Sequence, residues 1–347
     1  MVLAVAGISA GVLQTIGPPV TARQTASNPP QPPSGIMPVV PVPAEKPALV
    51  TADRAPQAAT RHQAEAPGRS VPGPVADPDP ALMQPDNAEE KTFLPRIAAD
   101  GRTPMHEYAA GFDPTSRRPR VGILVAGIGM SQADSLSAVH LLPGPVTLAI
   151  SPYATNTDRL LAMARLAEHE YLLSIAMEPQ GYPVNDPDDR RALMSSLPLA
   201  ENLTRLHWAL SRIAGYVGVT NALGPMRGER LADMADQFGA MLKDVAARGL
   251  LFVDARPGQP GGRLAWNRSV DLVIDDQPLD QATLDSRLET LSKMAKDNGS
   301  ALGLVSLPRP MTMARVVAWS NTLADKGLVL APVSALVRPP AESEPSQ

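Results

Sequence analysis

The fold class of this chain is decided by residues 121–150, VGILVAGIGMSQADSLSAVHLLPGPVTLAI. The apolar runs at 121–125 and 145–150 are typical of buried strands, and Ser131 can cap a helix that continues to Leu142. A strand that leads through a helix into a second strand favours parallel pairing with a right-handed crossover.

The same alternation continues to the end of the domain. Further apolar runs predict strands at 171–177, 216–220, 250–253, 272–274, 301–305 and 328–333. Helical spacing predicts helices at about 156–168, 203–213, 228–248, 280–297 and 312–325. About seven or eight strands in an α/β pattern favour a sheet that closes, or nearly closes, into a (β/α) barrel. An open doubly wound sheet is the alternative.

The composition excludes several classes of protein. The formal net charge is -4, and no basic cluster stands out, so we expect no nucleic-acid partner. Cysteine is absent, which excludes disulfides, thiolate zinc sites and cysteine nucleophiles. Apolar residues make up 44% of the chain, enough for a substantial core.

The first 117 residues differ in composition from the rest. Residues 1–17 are apolar and uncharged, which favours a signal peptide or a single membrane anchor. Twenty-one of the 38 prolines lie in the first 120 residues, so residues 18–117 are predicted to form a disordered Pro/Ala-rich linker. The folded domain is predicted at 118–338, with a disordered tail at 339–347. This layout favours export to the periplasm, with or without an inner-membrane anchor.

Polar side chains follow several predicted strands at their carboxyl ends, where the active sites of parallel α/β folds lie. Glu178 follows the third strand and Asp254 the fifth. Two such carboxylates can act as general acid and base, and Arg256 can stabilise developing negative charge. An ion pair between Asp254 and Arg256 that merely orders the rim is an equal alternative.

Three further residues at these strand ends are predicted to contact a substrate: Asn221, Tyr153 and Asp275. A tyrosine on a loop can stack on a sugar ring, although plain packing of the ring is the alternative. For Asp275 and Asp276, the alternative is a turn before Pro278.

No zinc site made of histidine and carboxylate ligands is visible in the sequence. His140 and His207 fall within predicted helices, and His169 precedes a strand, at the end opposite to the candidate site. We therefore expect no metal cofactor. A Mg²⁺ or Ca²⁺ site built from Asp254, Asp275 and Asp276 remains an alternative, because hard cations accept oxygen ligands alone.

Six sequence runs occur in a characteristic order. They are VGILVAGIG (121–129), LPGPVTLAISPYA (142–154), HEYLLSIAMEP (169–179), YVGVTNALG (216–224), RGLLFVDAR (248–256) and GLVLAPVSAL (327–336). Over roughly residues 119–338 the chain therefore resembles the divergent polysaccharide deacetylases, a branch of the metal-dependent carbohydrate deacetylases. The resemblance implies a distorted (β/α) barrel, a carbohydrate substrate and an ancestral hydrolase that cleaves C–N bonds.

The chain departs from the family pattern at the positions that the resemblance assigns to the metal and the base. The family's first strand ends in two adjacent aspartates, where this chain has Ala126 and Gly127. Three histidines of the family correspond here to Ser174, Ala222 and Leu307. Deacetylation of this type needs a metal that polarises the acetyl carbonyl and activates water. We therefore expect the ancestral reaction to be absent.

Three functional hypotheses follow. The first is a degenerate deacetylase domain in the cell envelope that binds an envelope polysaccharide or a peptidoglycan-type glycan. The second is an active hydrolase on acetylated glycans with a rebuilt carboxylate site. The third is a protein-interaction scaffold in which the Pro-rich segment makes the contact.

Overall fold

The computed structural model describes residues 71–86, 92–188, 190–260 and 264–340. All of them belong to one compact unit, Arg61–Gln347. The predicted apolar segment at 1–17, the predicted linker up to residue 70 and most of the predicted tail lie outside the described residues. Within those described ranges, no helix is both long enough and apolar enough to cross a membrane.

The described residues form eleven strands. They are β1 (Met83–Pro85), β2 (Phe93–Pro95), β3 (Arg120–Ile128), β4 (Thr147–Ile150), β5 (Tyr171–Ser174), β6 (Gly218–Thr220), β7 (Leu251–Asp254), β8 (Asn267–Ser269), β9 (Leu272–Val273), β10 (Ser300–Val305) and β11 (Val329–Leu330). β1 and β2 form an antiparallel pair of their own.

The other strands form one parallel sheet in the order β8-β7-β6-β5-β4-β3-β10-β9, and β11 pairs with the start of β3. β8 and β9 are the two ends of this order, yet two residues alone separate them in the chain. The Val270 amide donates to Asp254 of β7 (2.8 Å), and the Asp271 amide donates to Leu302 of β10 (2.9 Å). One short segment thus bonds to both ends of the curled sheet, and the predicted distorted (β/α) barrel is confirmed.

Helices connect the strands of the sheet. They are α1 (Pro104–Glu107), α2 (Gln132–Leu141), α3 (Asp158–Leu166), α4 (Leu199–Leu210), α5 (Glu229–Ala232), α6 (Ala235–Ala247), α7 (Gln281–Asn298) and α8 (Pro310–Ser320). Short 3-10 helices lie at Pro80–Leu82 and Val333–Ala335.

Local signals set the ends of several helices. The Ser131 side chain accepts from the Asp134 amide before α2, as predicted, and Asp280 does the same for Thr283 before α7. Gly299 ends α7 in the left-handed conformation, with φ +79°. The single helix predicted at 228–248 is wrong, because the chain breaks between α5 and α6.

The apolar core has two layers, one on each face of the sheet. On β3, Ile123 and Val125 pack in the outer layer with the helices, whereas Leu124 and Ala126 belong to the inner layer. This alternation follows from the two-residue period of a strand. Both faces of β3 are buried, which is why its sequence is a continuous apolar run.

The predicted linker boundary is wrong over residues 71–86 and 92–117, because these residues pack onto the barrel. Leu82, Met105 and Tyr108 are buried in the inner core layer, and Leu94 is buried in the outer one. Composition gave the wrong boundary, because a few large side chains, with small buried alanines around them, are enough to attach a Pro-rich segment to the barrel. The folded unit therefore begins well before residue 118.

Glu170 fastens this segment to the amino end of the barrel. Its buried carboxyl group accepts hydrogen bonds from the Ala110 amide (3.0 Å), the Thr147 hydroxyl (3.0 Å) and the Ser334 amide (2.9 Å) and hydroxyl. Burial raises the pKa of this carboxyl group, although the same hydrogen bonds act in the opposite direction.

Candidate functional site

Glu178 leaves β5 in the Met-Glu-Pro turn and is almost fully buried. Its carboxylate accepts from the Ser195 amide at 2.6 Å and forms an ion pair with the Arg230 guanidinium at 3.0 Å. Ser195 belongs to the loop after β5, and Arg230 belongs to α5. Glu178 therefore ties these two segments to the rim of the barrel.

Asp254, at the end of β7, lies in a hydrogen-bonded network with Asn221 and Arg256. Its carboxylate accepts from the Asn221 amide group (3.2 Å), from the Arg256 backbone amide (3.0 Å) and from the guanidinium (2.8 and 3.0 Å). Asn221 in turn accepts from the Ala255 amide at 2.7 Å. The carboxylate contacts raise the pKa of Arg256, against the lowering effect of its burial. The structure thus brings three of the predicted site residues together.

Asp275 follows β9 and binds the loop after β10. It accepts from the Ser306 amide at 2.7 Å and from the Leu307 amide at 3.1 Å, and it forms an ion pair with Arg309 at 3.1 Å. The two backbone contacts fix the position of Leu307. Asp276 instead pairs with Arg227 at 3.0 Å, so the two adjacent aspartates bind different partners.

All three candidate carboxylates are thus saturated with protein donors. In the part of the chain that the structure describes, no group of three or more His, Asp or Glu side chains is arranged to hold a metal ion. His169 lies at the opposite end of the barrel, where its ring nitrogens lie 2.8 and 3.3 Å from the carbonyls of Val146 and Val139 and burial lowers its pKa.

An apolar contact fills the place where the family pattern has metal ligands. A Cβ atom at Gly127 would lie 2.6 Å from Cδ2 of Leu307, which leaves no room for an aspartate side chain. A Cβ at Gly224 would lie 3.6 Å from the same methyl group and 3.9 Å from the sulfur of Met130. Leu307 therefore packs against the ends of both β3 and the β6 loop.

The residues at these positions do not fit a catalytic metal ion. Ala126 and Ala222 have no donor atom, and Leu307 presents methyl groups. Ser174 keeps one hydroxyl oxygen, which is buried and has no hydrogen-bond partner. A neutral hydroxyl among methyl groups is a poor substitute for carboxylates and imidazoles.

Tyr153 is held by the protein at both ends of its side chain. Its ring lies 5.8 Å from the ring of Trp208, and its hydroxyl donates to the Pro187 carbonyl at 2.8 Å. Burial raises the pKa of Tyr153, and the charges of Asp188 and Asp186 act in the same direction. These contacts favour packing over sugar stacking as the role of this ring.

A groove opens on the carboxyl rim between the β3–α2 loop and the β4–α3 loop. It encloses about 250 Å³ and is lined by Gly129, Met130, Gln132, Leu136, Thr155, Asn156, Thr157, Arg159 and Leu160. The sequence did not predict this groove, because its lining residues lie in the loops and helices beyond the ends of the strands. Asn156, with φ +54°, is the residue whose unusual backbone marks the groove.

The groove offers both hydrogen-bonding groups and apolar side chains to a polar ligand. The side chains of Gln132, Asn156 and Arg159 make no hydrogen bond or ion pair with other described residues. Gly129 allows the two loops to approach closely, since a Cβ atom there would lie 2.4 Å from that of Ala154. The walls are therefore preformed, and Met130 separates the groove from Leu307.

The curled parallel sheet, with helices on its outer face and candidate polar residues at its carboxyl rim, places the chain in the class of distorted (β/α) barrels. The sequence model of the family described as divergent polysaccharide deacetylase matches residues 123–337. The chain belongs to this family, as the sequence predicted.

Several solved structures are similar to this chain to different degrees. An uncharacterized protein from Agrobacterium tumefaciens C58 is 31% identical, with a TM-score of 0.65, over 71% of this chain and 100% of that one. A family 4 carbohydrate esterase from Streptomyces lividans, in complex with acetate, is 17% identical, with a TM-score of 0.39, over 64% of this chain and 96% of the esterase. None of the curated proteins matches this chain.

Proposed function

We propose that this chain is a glycan-binding member of its family that works in the cell envelope and does not carry out metal-dependent deacetylation. The contact between Leu307 and Gly127 carries the proposal, because it puts methyl groups where a metal and its ligands would lie. Family membership supports a polysaccharide ligand, and the rim groove offers the side chains of Gln132, Asn156 and Arg159 as hydrogen-bonding groups for it.

The decisive experiment measures binding and catalysis on the same full-length protein. We expect calorimetry to detect binding of an N-acetylated oligosaccharide of the peptidoglycan or chitin type. We expect no acetate release from the same ligand, with or without added Zn²⁺, Co²⁺ or Mn²⁺. Metal-dependent acetate release would contradict the catalytic half of the proposal, and absence of binding to every envelope glycan would contradict the other half.

Substitution of Gln132 tests whether the groove is the binding site. Gln132→Ala removes one amide from the groove and should weaken glycan binding by about threefold to tenfold, the range for one net hydrogen bond. Gln281→Ala is the matched control, because Gln281 is also an exposed first residue of a long helix but lies on α7. Equal affinities of the two variants would place the glycan elsewhere.

The alternative of a rebuilt hydrolase makes a different prediction for Asp254. If Asp254 were an acid or base, Asp254→Asn would abolish turnover without affecting the fold. We instead expect a loss of about 3 kcal/mol in the free energy of unfolding, because the largely buried Arg256 would lose the carboxylate that binds it through two nitrogens and keep only the exposed Asp233. Urea unfolding measures this, with Asp276→Asn as the exposed control that should cost about 1 kcal/mol or less.

Export remains part of the proposal, because a glycan of the envelope lies outside the cytoplasm. The uncharged apolar residues 1–17 support it. A fusion of the full chain to alkaline phosphatase, which needs its disulfides to be active, should show activity in intact cells. A fusion of the full chain that is inactive, or one that stays active after removal of residues 1–17, would argue against this part.

A further inference from the structure

A second cavity lies beside β8, apart from the groove on the β3 and β4 loops. It encloses about 140 Å³ and is lined by Gln259, Pro260, Asn267, Arg268, Ser269 and Arg338. Two of these residues carry a guanidinium group, and none carries a carboxylate. The lining is therefore strongly positive for so small a space.

Two polar atoms at this cavity are buried without a hydrogen-bond partner. They are the Nε of Arg268 and the hydroxyl of Ser269. The two residues are 9% and 7% exposed, so bulk water does not readily take the place of a partner. Buried polar groups are almost always hydrogen-bonded, because leaving one unsatisfied costs free energy. Two such atoms on residues that line one cavity are accounted for if a partner with acceptor oxygens binds there.

The local charge is also unbalanced. Arg268 forms an ion pair with Asp271, but the same carboxylate oxygen accepts the Leu302 amide at 2.7 Å. The side chain of Arg338 makes no hydrogen bond or ion pair with other described residues. Burial lowers the pKa of Arg268, and the positive charge of Arg338 acts in the same direction.

Backbone hydrogen bonds anchor Arg338 beside β8. The amides of Asn267 and Arg338 donate to each other's carbonyls at 3.0 and 2.8 Å. Arg338 is thereby anchored beside the residue that precedes Arg268. The bridge keeps Arg338 at the cavity that Arg268 also lines, and an anion bound there would offset both positive charges.

We propose that this cavity is a binding site for a tetrahedral oxyanion, either a free phosphate or sulfate ion or the phosphate or sulfate group of an anionic polymer. The guanidinium groups of Arg268 and Arg338 would neutralise the charge, and the Ser269 hydroxyl would donate to a third oxygen. The site does not depend on the glycan groove, and its test does not depend on the outcome of the glycan assay.

The test uses the full chain and inorganic phosphate. Thermal unfolding in rising phosphate, against sodium chloride of equal ionic strength, should show a saturable increase in Tm, since a ligand of the native state stabilises it. Sulfate should act in the same way, and acetate should not. Stabilisation by a phosphate-containing polymer at lower phosphate concentration than by free phosphate would identify the polymer as the source. Equal or weaker action of the polymer would identify the free ion.

Two substitutions distinguish the site from general salt effects. Arg338→Gln should weaken phosphate binding by about tenfold or more, the effect expected for one charge-assisted hydrogen bond. Arg118→Gln is the matched control, because Arg118 is also exposed and makes no ion pair within the described chain. No phosphate effect beyond that of chloride, or equal phosphate affinities of the two variants, would overturn the proposal.

Ser269→Ala tests the site in a second way, because its effect on the stability without phosphate and its effect on the gain from phosphate should have opposite signs. Without phosphate, this variant should be at least as stable as the wild type, because it removes an unsatisfied buried hydroxyl. With phosphate, its gain in Tm should be smaller than that of the wild type. A variant that is destabilised without phosphate and gains as much as the wild type would show a purely structural role and overturn the assignment.

Discussion

Gly127 is the residue at which the replacement of the ancestral site can be examined most directly. It has φ +74°, a conformation that side chains other than glycine adopt with strain. It also faces Leu307, whose methyl carbon would lie 2.6 Å from a Cβ atom. Two separate costs therefore oppose any side chain at this position, and an aspartate would meet both.

Substitution of Gly127 by alanine should destabilise the protein by about 1–3 kcal/mol, as judged from urea unfolding. Gly101→Ala isolates the backbone cost, because Gly101 has φ +89° and nothing within 4 Å of its would-be Cβ. Gly127→Ala should lower the free energy of unfolding more than Gly101→Ala does. The double variant Gly127→Ala, Leu307→Ala should no longer show the part of the loss that comes from the clash with Leu307. Equal effects at Gly127 and Gly101 would mean that Leu307 moves aside without cost.

At the scale of single residues, the sequence identified which positions depart from the family but not what they do together. Ala126, Ser174 and Leu307 were recognisable as losses. That Leu307 packs on Gly127 depends on the loop after β10, whose position Asp275 fixes through two backbone amides. Because this contact joins residues that are far apart in the chain, neither the periodicity nor the composition of the sequence predicts it.

Among the elements, the amino end of β5 has an unusual role, because Glu170 joins three parts of the fold there. Its carboxyl group binds the Ala110 amide of the amino-terminal segment, the Thr147 hydroxyl of β4, and Ser334 near the carboxyl end. Burial raises its pKa above the usual 4.5, which means that folding favours the protonated form.

The sign of the resulting pH dependence follows from linkage. Between pH 4.5 and the raised pKa of the folded state, folding takes up a proton at Glu170. The stabilising contribution is therefore complete below pH 4.5 and is lost as the pH rises through the folded pKa. Within that window, the free energy of unfolding should fall by up to about 1.4 kcal/mol per pH unit.

Comparison with Glu170→Gln isolates this contribution from all other carboxylates. The wild type should gain stability relative to the variant as the pH is lowered from 7 towards 4.5. Glu289→Gln serves as the control, because Glu289 is an exposed residue of α7, and its free-energy difference should not follow that trend. A difference between wild type and Glu170→Gln that does not change with pH would refute the assignment.

The elements that the sequence predicted best are those with local signals. Ser131 and Gly299 mark helix ends through side-chain and backbone chemistry that needs no tertiary contact. The pair β1–β2 was missed because three-residue strands rich in proline have no periodicity to detect. The break between α5 and α6 was missed because α5 is docked by the Leu231 amide onto the Glu178 carbonyl, a tertiary contact.

At the scale of the molecule, alternation of strands and helices was enough to predict a closed or nearly closed barrel, but not the segment that joins its two ends. One segment, 267–273, bonds to β7 with its first half and to β10 with its second. The sequence predicted a strand at 272–274 and missed β8, because the polar residues 267–269 form no apolar run. The closure also creates the β8 edge at which Arg268 and Arg338 meet, so the proposed anion site follows from the distortion of the barrel.

The packing of the amino-terminal segment determines at which residue a shortened chain can begin and still fold. A chain that begins at residue 118, the boundary predicted from composition, would expose the inner core layer that Met105 and Tyr108 cover, and would leave Glu170 without the Ala110 amide. Loss of several buried large side chains costs about 2–5 kcal/mol each, which exceeds the margin of a typical domain.

We therefore expect a chain that begins at 118 to be insoluble or to unfold without a cooperative transition. A chain that begins at residue 61, the start of the compact unit, is the control and should unfold cooperatively with the Tm of the full chain. Thermal unfolding followed by circular dichroism measures both. If the two chains had the same Tm, residues 71–117 would contribute nothing to the stability of the barrel, and their packing would be incidental to the fold.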